Sequence, residues 1–288
     1  MTLKEKIKNK KFIITSEIGP PKGIDAKVIL EEGLLLKDRV DAINVTDSQS
    51  AVMRLGSLAV SRLLKEEGIE PIYQLTCRDR NRIALQSDAL SAAALGIENI
   101  LVLTGDHPSR GDHPEAKPVF DLDSVQLIEA LRRLEGGKDM AGKELKGAPK
   151  FCVGAVVNPG ADPLEPELIK FEKKLKAGAE FFQTQGVYDV NGFAKFIDKV
   201  KGYNTCIIAG IILIKSADMA RFMNKNVAGI FIPDDIIKEV DGATDKQEKA
   251  VEIAARTIKE LKGLAQGVHI MSLGWNRLVP RILDSAGL

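Results

Sequence analysis

Two acidic residues stand at the ends of two apolar runs. The first run, residues 12–16, leads into Glu17 and then into Gly19-Pro20-Pro21, and the second, residues 99–104, leads into Gly105-Asp106. Such runs are typical of buried parallel strands, and parallel barrels keep their chemistry at the carboxyl ends of their strands. Two carboxylates at two strand ends predict an active site. Alternatively, Asp106 only caps a turn and Glu17 only forms an ion pair with a lysine.

The other apolar runs also end in polar side chains. These are Thr46, Asp47, Gln74, Thr76, Thr104, Asn158, Gln183, Gln185, Asn276 and Arg277. Amide, hydroxyl and carboxyl groups around one mouth can hold a heterocycle by its edge. The set contains no Ser/His/Asp triad and no phosphate-binding glycine loop, and no run carries an internal lysine for Schiff-base chemistry.

The cysteines and histidines predict no metal site. Cys77, Cys152 and Cys206 lie far apart inside apolar runs, without a Cys-x-x-Cys pair, so we expect buried thiols rather than disulfides or metal ligands. His107 and His113 share one loop at a spacing that fits no zinc signature. A strand-like run begins at His269, where we expect the ring to be packed.

Eight short β-rich runs alternate with amphipathic helical segments. The runs cover residues 12–16, 42–46, 71–76, 99–104, 151–157, 181–185, 206–212 and 268–273. The helical segments, for example 51–65 and 124–133, repeat apolar residues at i, i+3, i+4 and i+7. Glycines 68, 96 and 178 stand where helices should end.

This alternation predicts an α/β fold, a single (β/α)8 barrel over residues 1–288. The absence of Gly-x-Gly-x-x-Gly after the first run argues against an open dinucleotide-binding sheet. A ninth apolar run, 227–233, precedes a helical stretch from 233 to about 264. We interpret this region as a helical insertion before the last strand.

The charge balance excludes some partners. With 41 basic and 40 acidic residues, the chain has no electrostatic field that would favour nucleic acid or an anionic membrane. The first residues are charged and lack the apolar core of a signal peptide, and no stretch approaches the ~20 apolar residues of a membrane span. We therefore expect a cytoplasmic protein.

Six motifs, in order, resemble those of the methylenetetrahydrofolate reductases, which are flavin-containing (β/α)8 barrels. The motifs are TSEIGPP at 15–21, NVT at 44–46, QLTC at 74–77, LTGD at 103–106, KKLKAGA at 173–179 and QTQ at 183–185. The resemblance extends from about residue 12 to Arg277. It implies reduction of 5,10-methylenetetrahydrofolate to 5-methyltetrahydrofolate through a bound flavin, with FAD favoured over FMN.

The resemblance also implies substrate-site roles. Glu17 matches the general acid that protonates a ring nitrogen of the folate, which requires a partly protonated, and therefore buried, carboxyl group. Asp106 matches the aspartate between flavin and pterin, which binds pterin N–H groups and tunes the flavin. Gln185 matches a pterin-binding glutamine. Arg277 matches a basic residue near the glutamate tail of the folate, with an ordinary ion pair as the alternative.

Flavin contacts are implied at a second set of positions. They are Thr46, Gln74, Thr104, Gly105 and Asp106 around the ring, and Lys173 and Lys174 at the pyrophosphate. Gly105 fits because the backbone must approach the cofactor closely. A solvated helix face is the alternative for the two lysines.

Four positions depart from the family pattern. Gln74 replaces a histidine, Thr104 an arginine, Asp47 a tyrosine, and Ala217 a phenylalanine that packs on nicotinamide and folate. The electron donor therefore stays open between NAD(P)H and a partner subunit containing an iron–sulfur cluster or zinc, and we expect an oligomer. Two alternatives are a flavin- or folate-binding subunit that is inactive alone and a flavin-free aldolase-type lyase.

Overall fold

Eight parallel strands close into a barrel in a computed structural model that describes residues 1–288. The strands are β1 (Ile13–Ile18), β2 (Ala42–Val45), β3 (Pro71–Thr76), β4 (Asn99–Leu103), β5 (Cys152–Val157), β6 (Phe181–Gly186), β7 (Cys206–Ile212) and β8 (Gly267–Met271). Each strand pairs with the next, and β8 returns to pair with β1, where Thr15 lies opposite His269. The predicted (β/α)8 barrel is confirmed, with each strand within two residues of its expected bounds.

The helices cover the outside of the barrel. They are α1 (Leu3–Lys8), α2 (Lys27–Leu36), α3 (Ser57–Glu66), α4 (Arg82–Ala94), α5 (Ser124–Glu135), α6 (Glu165–Ala177), α7 (Val190–Val200), α8 (Ala217–Asn226), α9 (Asp234–Gly242), α10 (Lys246–Leu261) and α11 (Val279–Ala286). None of them is both long and apolar enough to cross a bilayer. Glycines 68, 96 and 178 follow α3, α4 and α6 with φ of +71°, +77° and +114°, which confirms them as helix ends.

The barrel interior changes character along its axis. At the amino-terminal ends of the strands it is apolar, because Leu3 of α1 packs there with Ile13, Ile72 and Phe181. Gly154 makes room for Phe181, since a Cβ at residue 154 would lie 2.2 Å from its ring. Towards the carboxyl ends the interior is polar, and this half of the barrel contains the site described below.

The helix predicted over residues 51–65 begins six residues later than expected. Ala51 has φ +58°, and α3 starts only at Ser57. The intervening segment is held by a tertiary contact, because the Leu55 N–H donates to the Pro21 carbonyl at 2.8 Å. The apolar spacing of this segment therefore serves a loop that packs against the β1–α2 connection.

The predicted insertion lies between β7 and β8. Residues 227–233 form a loop rather than a strand, and Ile230 and Ile232 pack against α8 and α9. The helical stretch predicted from residue 233 is divided between α9 and α10. Ala243 is extended there, and the Asp245 side chain caps α10. Asn158, just after β5, donates to the Ala228 carbonyl at 3.0 Å and so fixes this loop at the mouth of the barrel.

Candidate active site

A cavity of about 490 Å³ opens at the carboxyl ends of the strands. Its lining includes most of the residues that the sequence singled out: Glu17, Thr46, Gln74, Thr104, Gly105, Asp106, Lys174 and Gln185. These side chains come from strands, strand ends and a helix at six places along the chain, so the closed barrel is what brings them together. Lys173 and Arg277 are the two predicted site residues that do not line the cavity.

Glu17 projects from β1 into the cavity, and its side chain is 10% exposed. Its Oε2 lies 3.7 Å from Nε2 of His269 on β8. The sequence predicted that His269 is packed, which its burial bears out, but not that its ring faces Glu17. The contact depends on the pairing of β8 with β1, and that pairing follows only from the closure of the barrel.

A hydrogen-bonded chain of side chains continues below this pair. His269 Nδ1 lies 2.9 Å from Thr15 Oγ1, and Gln183 Nε2 donates to the same hydroxyl at 3.2 Å. Gln183 also donates to Asn44 Oδ1 at 3.1 Å and accepts from Asn44 Nδ2 at 2.7 Å. The buried polar groups below Glu17 thus satisfy one another, which holds them in one arrangement.

Asp106 follows a turn that requires glycine. Gly105 has φ +90°, and a Cβ there would lie 3.0 Å from Cβ of Arg78 and 3.3 Å from Cβ of Thr76. The Asp106 side chain is exposed and accepts no hydrogen bond from the protein. Its carboxylate is therefore available to N–H groups of a ligand in the cavity.

Arg78 is a cavity residue that the sequence analysis missed. Its side chain is 3% exposed and forms two hydrogen bonds with Asp79, at 2.8 and 2.7 Å. This pairing raises the pKa of Arg78. Nη1 donates to the Asp106 carbonyl at 3.4 Å and Nη2 to the Ser48 carbonyl at 3.3 Å, so the guanidinium joins two loops of the mouth. Its place directly after the QLTC motif, at the end of β3, was the available signal.

Asp47, expected among the ligand-binding groups, is engaged by the protein itself. Its Oδ2 accepts from the Thr76 N–H at 3.0 Å, from the Thr76 hydroxyl at 2.8 Å and from Arg80 Nη1 at 2.7 Å. The carboxylate is 3% exposed. It ties the end of β2 to the end of β3.

Lys174 and Lys173 occupy different faces of α6. Lys174 is 4% exposed, and its Nζ donates to the Val156 carbonyl at 2.6 Å without a carboxylate in ion-pair contact. Burial lowers the pKa of Lys174. Lys173 is exposed away from the cavity, whereas Lys170, one turn before Lys174, lies on the cavity rim. The lysine pair on the cavity side is therefore 170 and 174 rather than 173 and 174.

Two buried side chains on the cavity wall have no partner in the protein. The Thr46 hydroxyl is buried without a hydrogen bond, and the Gln74 amide, 8% exposed, makes none. Gln185 uses Oε1 to accept from the Gly186 N–H at 3.2 Å and leaves its Nε2 free. Unpartnered buried groups are costly, so their presence on a cavity wall indicates a polar ligand.

The residues after β8 lie outside the cavity. Asn276 donates to Glu32 Oε2 at 2.8 Å and also bonds the Ser272 hydroxyl. Arg277 is exposed in the short turn Asn276–Leu278 and makes neither a hydrogen bond nor an ion pair. A contact of Arg277 with a bound molecule would require that molecule to extend beyond the cavity.

Known solved structures share the fold at low sequence identity. A 2,3-dimethylmalate lyase superposes with a TM-score of 0.55 at 12% identity, covering 99% of this chain and 87% of that one. An oxaloacetate acetylhydrolase superposes with a TM-score of 0.56 at 11% identity, covering 100% and 87%. At such identity the likeness concerns the fold alone.

Sequence relatives carry a consistent name. Methylenetetrahydrofolate reductase 2 of Schizosaccharomyces pombe is 26% identical over 257 residues, which are 81% of this chain and 38% of that protein. The 5,10-methylenetetrahydrofolate reductase of Pectobacterium carotovorum subsp. carotovorum is 26% identical over 211 residues, 70% of this chain and 64% of that protein. The chain thus spans less than two thirds of the length of either relative. The sequence profile named methylenetetrahydrofolate reductase matches residues 2–287, and the chain belongs to that family.

Proposed function

We propose that this protein reduces 5,10-methylenetetrahydrofolate to 5-methyltetrahydrofolate by means of a bound flavin. The observation that carries the proposal is the meeting of two carboxyl groups in one cavity, the buried Glu17 and the unpartnered Asp106. They are far apart along the chain and play different parts. Glu17 is buried in the cavity wall, whereas Asp106 is exposed and free to accept hydrogen bonds.

Glu17 acts as the acid in this proposal. Its proton moves to a ring nitrogen of the folate, and the five-membered ring opens to an iminium that can accept hydride. Glu17 lines the cavity, is 9% exposed and accepts no hydrogen bond from the protein, so its carboxyl group faces a bound ligand. The open cavity mouth above it admits the substrate.

Asp106 and Gln185 orient the pterin. The free carboxylate of Asp106 can accept the neighbouring amino and ring N–H groups, and the free Nε2 of Gln185 can donate to a ring acceptor. Both side chains line the same cavity as Glu17. The contact of Arg277 with the folate tail stays a prediction, supported by its exposed and unpartnered side chain in the turn that follows β8.

The cavity also fits a flavin. The unpartnered Thr46 hydroxyl and Gln74 amide can bond its ring edge, Thr104 and Gly105 allow the close approach of backbone, and Lys174 offers a buried positive charge to its phosphate. A bound flavin supplies the hydride. We favour FAD over FMN because Lys170 and Lys174 together offer two charges, enough for a pyrophosphate. The mass of the released cofactor distinguishes the two.

The source of electrons is NAD(P)H or a partner redox subunit. Ala217, at the start of α8, is buried and offers no aromatic surface for stacking a nicotinamide. This favours a test of both donors on the isolated protein. Reduction that appears only after an iron–sulfur or zinc-containing partner is added would favour the second candidate function, a flavin- and folate-binding subunit that is inactive alone.

Glu17→Gln tests the proposal, because it keeps the shape of the side chain and removes its acidic proton. We expect the reoxidation of reduced flavin by methylenetetrahydrofolate to fall by about 100-fold or more, the usual contribution of a general acid. Flavin affinity and flavin reduction by dithionite should not change. Glu115→Gln, at an exposed loop position, is the control. Unchanged folate turnover in Glu17→Gln would refute the assignment.

A further inference from the structure

We propose that His269 is a positioning residue that stabilises the carboxylate of Glu17 after this acid has given its proton to the substrate. The proposal rests on the function proposed above and adds a second residue to its proton transfer. The two side chains are 5% and 10% exposed, and His269 Nε2 lies 3.7 Å from Glu17 Oε2. No other side chain forms a hydrogen bond or ion pair with Glu17.

We place the hydrogen of His269 on Nε2, an arrangement that the hydrogen-bond chain below the ring accommodates. Thr15 Oγ1 accepts from Gln183 and has a single hydrogen of its own to donate. That hydrogen can go to His269 Nδ1 at 2.9 Å or to the Val268 carbonyl at 3.5 Å. In the other tautomer, Nδ1 would donate to the Thr15 hydroxyl, which would then use only the 3.5 Å contact; we take the arrangement that uses the 2.9 Å contact, with Nδ1 as the acceptor. Nε2 then carries the hydrogen and directs it at Glu17.

The hydrogen on Nε2 matters when Glu17 transfers its proton to the substrate. When the O–H bond of Glu17 breaks and an N–H bond forms on the substrate, a buried carboxylate is left behind. Without a donor nearby, that charge is costly, and the acid is correspondingly weak. The Nε2–H of His269 provides the donor, because a small approach from 3.7 Å closes a hydrogen bond to the carboxylate. Water entering through the cavity mouth returns the proton to Glu17 for the next turnover.

Other charged groups face the same cavity but are held elsewhere or lie apart from Glu17. Asp47 is paired with Arg80, and Arg78 with Asp79. The remaining ionisable groups on the lining are Asp106, Glu167, Lys170 and Lys174, none of which contacts Glu17 or His269. His269 is therefore the ionisable neighbour of Glu17 whose substitution tests the inference.

His269→Phe and His269→Gln test the inference. The first removes the donor and keeps a ring, whereas the second keeps an N–H donor on a side chain of similar reach. The readout is the pH profile of flavin reoxidation by methylenetetrahydrofolate, with flavin reduction by dithionite as the control. A reaction that needs a general acid slows as pH rises. In His269→Phe we expect the midpoint of that fall to move to higher pH by about one unit, the equivalent of one hydrogen bond to a charged group. His269→Gln should recover most of the shift.

An unchanged midpoint in a folded His269→Phe protein would overturn the inference and leave the proposed function intact. Failure of the wild-type protein to reoxidise its flavin with the folate would instead overturn both. If His269→Phe does not fold, Thr15→Val replaces it, since valine has the shape of threonine without the hydroxyl that donates to Nδ1 in this arrangement. A midpoint shift in the same direction would support the inference, and an unmoved midpoint would refute it.

Discussion

Lys174→Met separates the proposed flavin-binding role of this lysine from its effect on stability. The ammonium is buried, burial lowers its pKa, and its one protein partner is the Val156 carbonyl at 2.6 Å. Methionine fills similar space without the charge. Removal of the charge relieves a desolvation cost, whereas the carbonyl loses its donor. The two effects oppose each other, so the unfolding free energy of the flavin-free protein should change by less than about 1 kcal/mol.

Flavin binding should respond much more strongly. A hydrogen bond to a charged group contributes about 1.5–3 kcal/mol, which corresponds to a roughly 10- to 150-fold change in dissociation constant. The assay is fluorescence titration of the flavin-free protein with FAD and with FMN, next to urea unfolding of the same samples. Lys173→Met is the matched control, because Lys173 is the exposed neighbour on the same helix. Equal losses of affinity in both variants, or none in Lys174→Met, would refute the assignment of Lys174 to the phosphate.

The lowered pKa of Lys174 adds a pH dependence with a defined sign. In the unfolded chain the amine has its ordinary pKa near 10.5, whereas in the folded protein it loses its proton at a lower pH. Between the lowered value and 10.5 the unfolded state binds more protons, so flavin-free wild-type protein gains stability as pH rises through that window. Lys174→Met lacks this gain. Parallel stability curves for the two proteins across this window would contradict the argument.

Two further substitutions test the supports of the cavity, each with its own control. Gly105→Ala should lower the unfolding free energy by about 1–2 kcal/mol in urea unfolding and weaken flavin binding, because residue 105 has φ +90° and its new Cβ would lie 3.0 Å from Arg78; Gly202→Ala, with open space around residue 202, should do neither. Asp47→Asn should lower the unfolding free energy by about 3 kcal/mol in the same assay. This value is at the low end for a broken buried ion pair, because Arg80 keeps a second partner, Asp88, at 2.7 Å. The exposed counterpart Asp218→Asn should cost less than about 1 kcal/mol, and equal costs for Asp47→Asn and Asp218→Asn would contradict this reasoning.

The architecture could be predicted from the sequence because strand and helix periods alternate without interruption. The helix predictions were wrong where tertiary contacts override the local spacing of apolar residues. Residues 51–56 have helical apolar spacing, yet Ala51 adopts φ +58° and Leu55 bonds Pro21 of another loop. The stretch after residue 233 was predicted as continuous because its apolar period continues, whereas the Asp245 cap starts a new helix.

The site could be predicted only as far as strand ends show it. Glu17, Asp106 and Gln185 stand at such ends, and the barrel collects them in one cavity. Side chains whose role depends on the direction in which they point could not be placed. Lys173 was grouped with Lys174, although one helical step of about 100° separates their faces. His269 faces Glu17 only because β8 pairs with β1.

The most direct test of the central claim is a single-turnover experiment on the wild-type protein. The flavin-loaded chain is reduced anaerobically and mixed rapidly with 5,10-methylenetetrahydrofolate while the flavin absorbance is followed. We predict that the flavin is reoxidised and that one equivalent of 5-methyltetrahydrofolate appears with it. A flavin that stays reduced in the presence of the folate, or a purified chain that binds no flavin, would contradict the account.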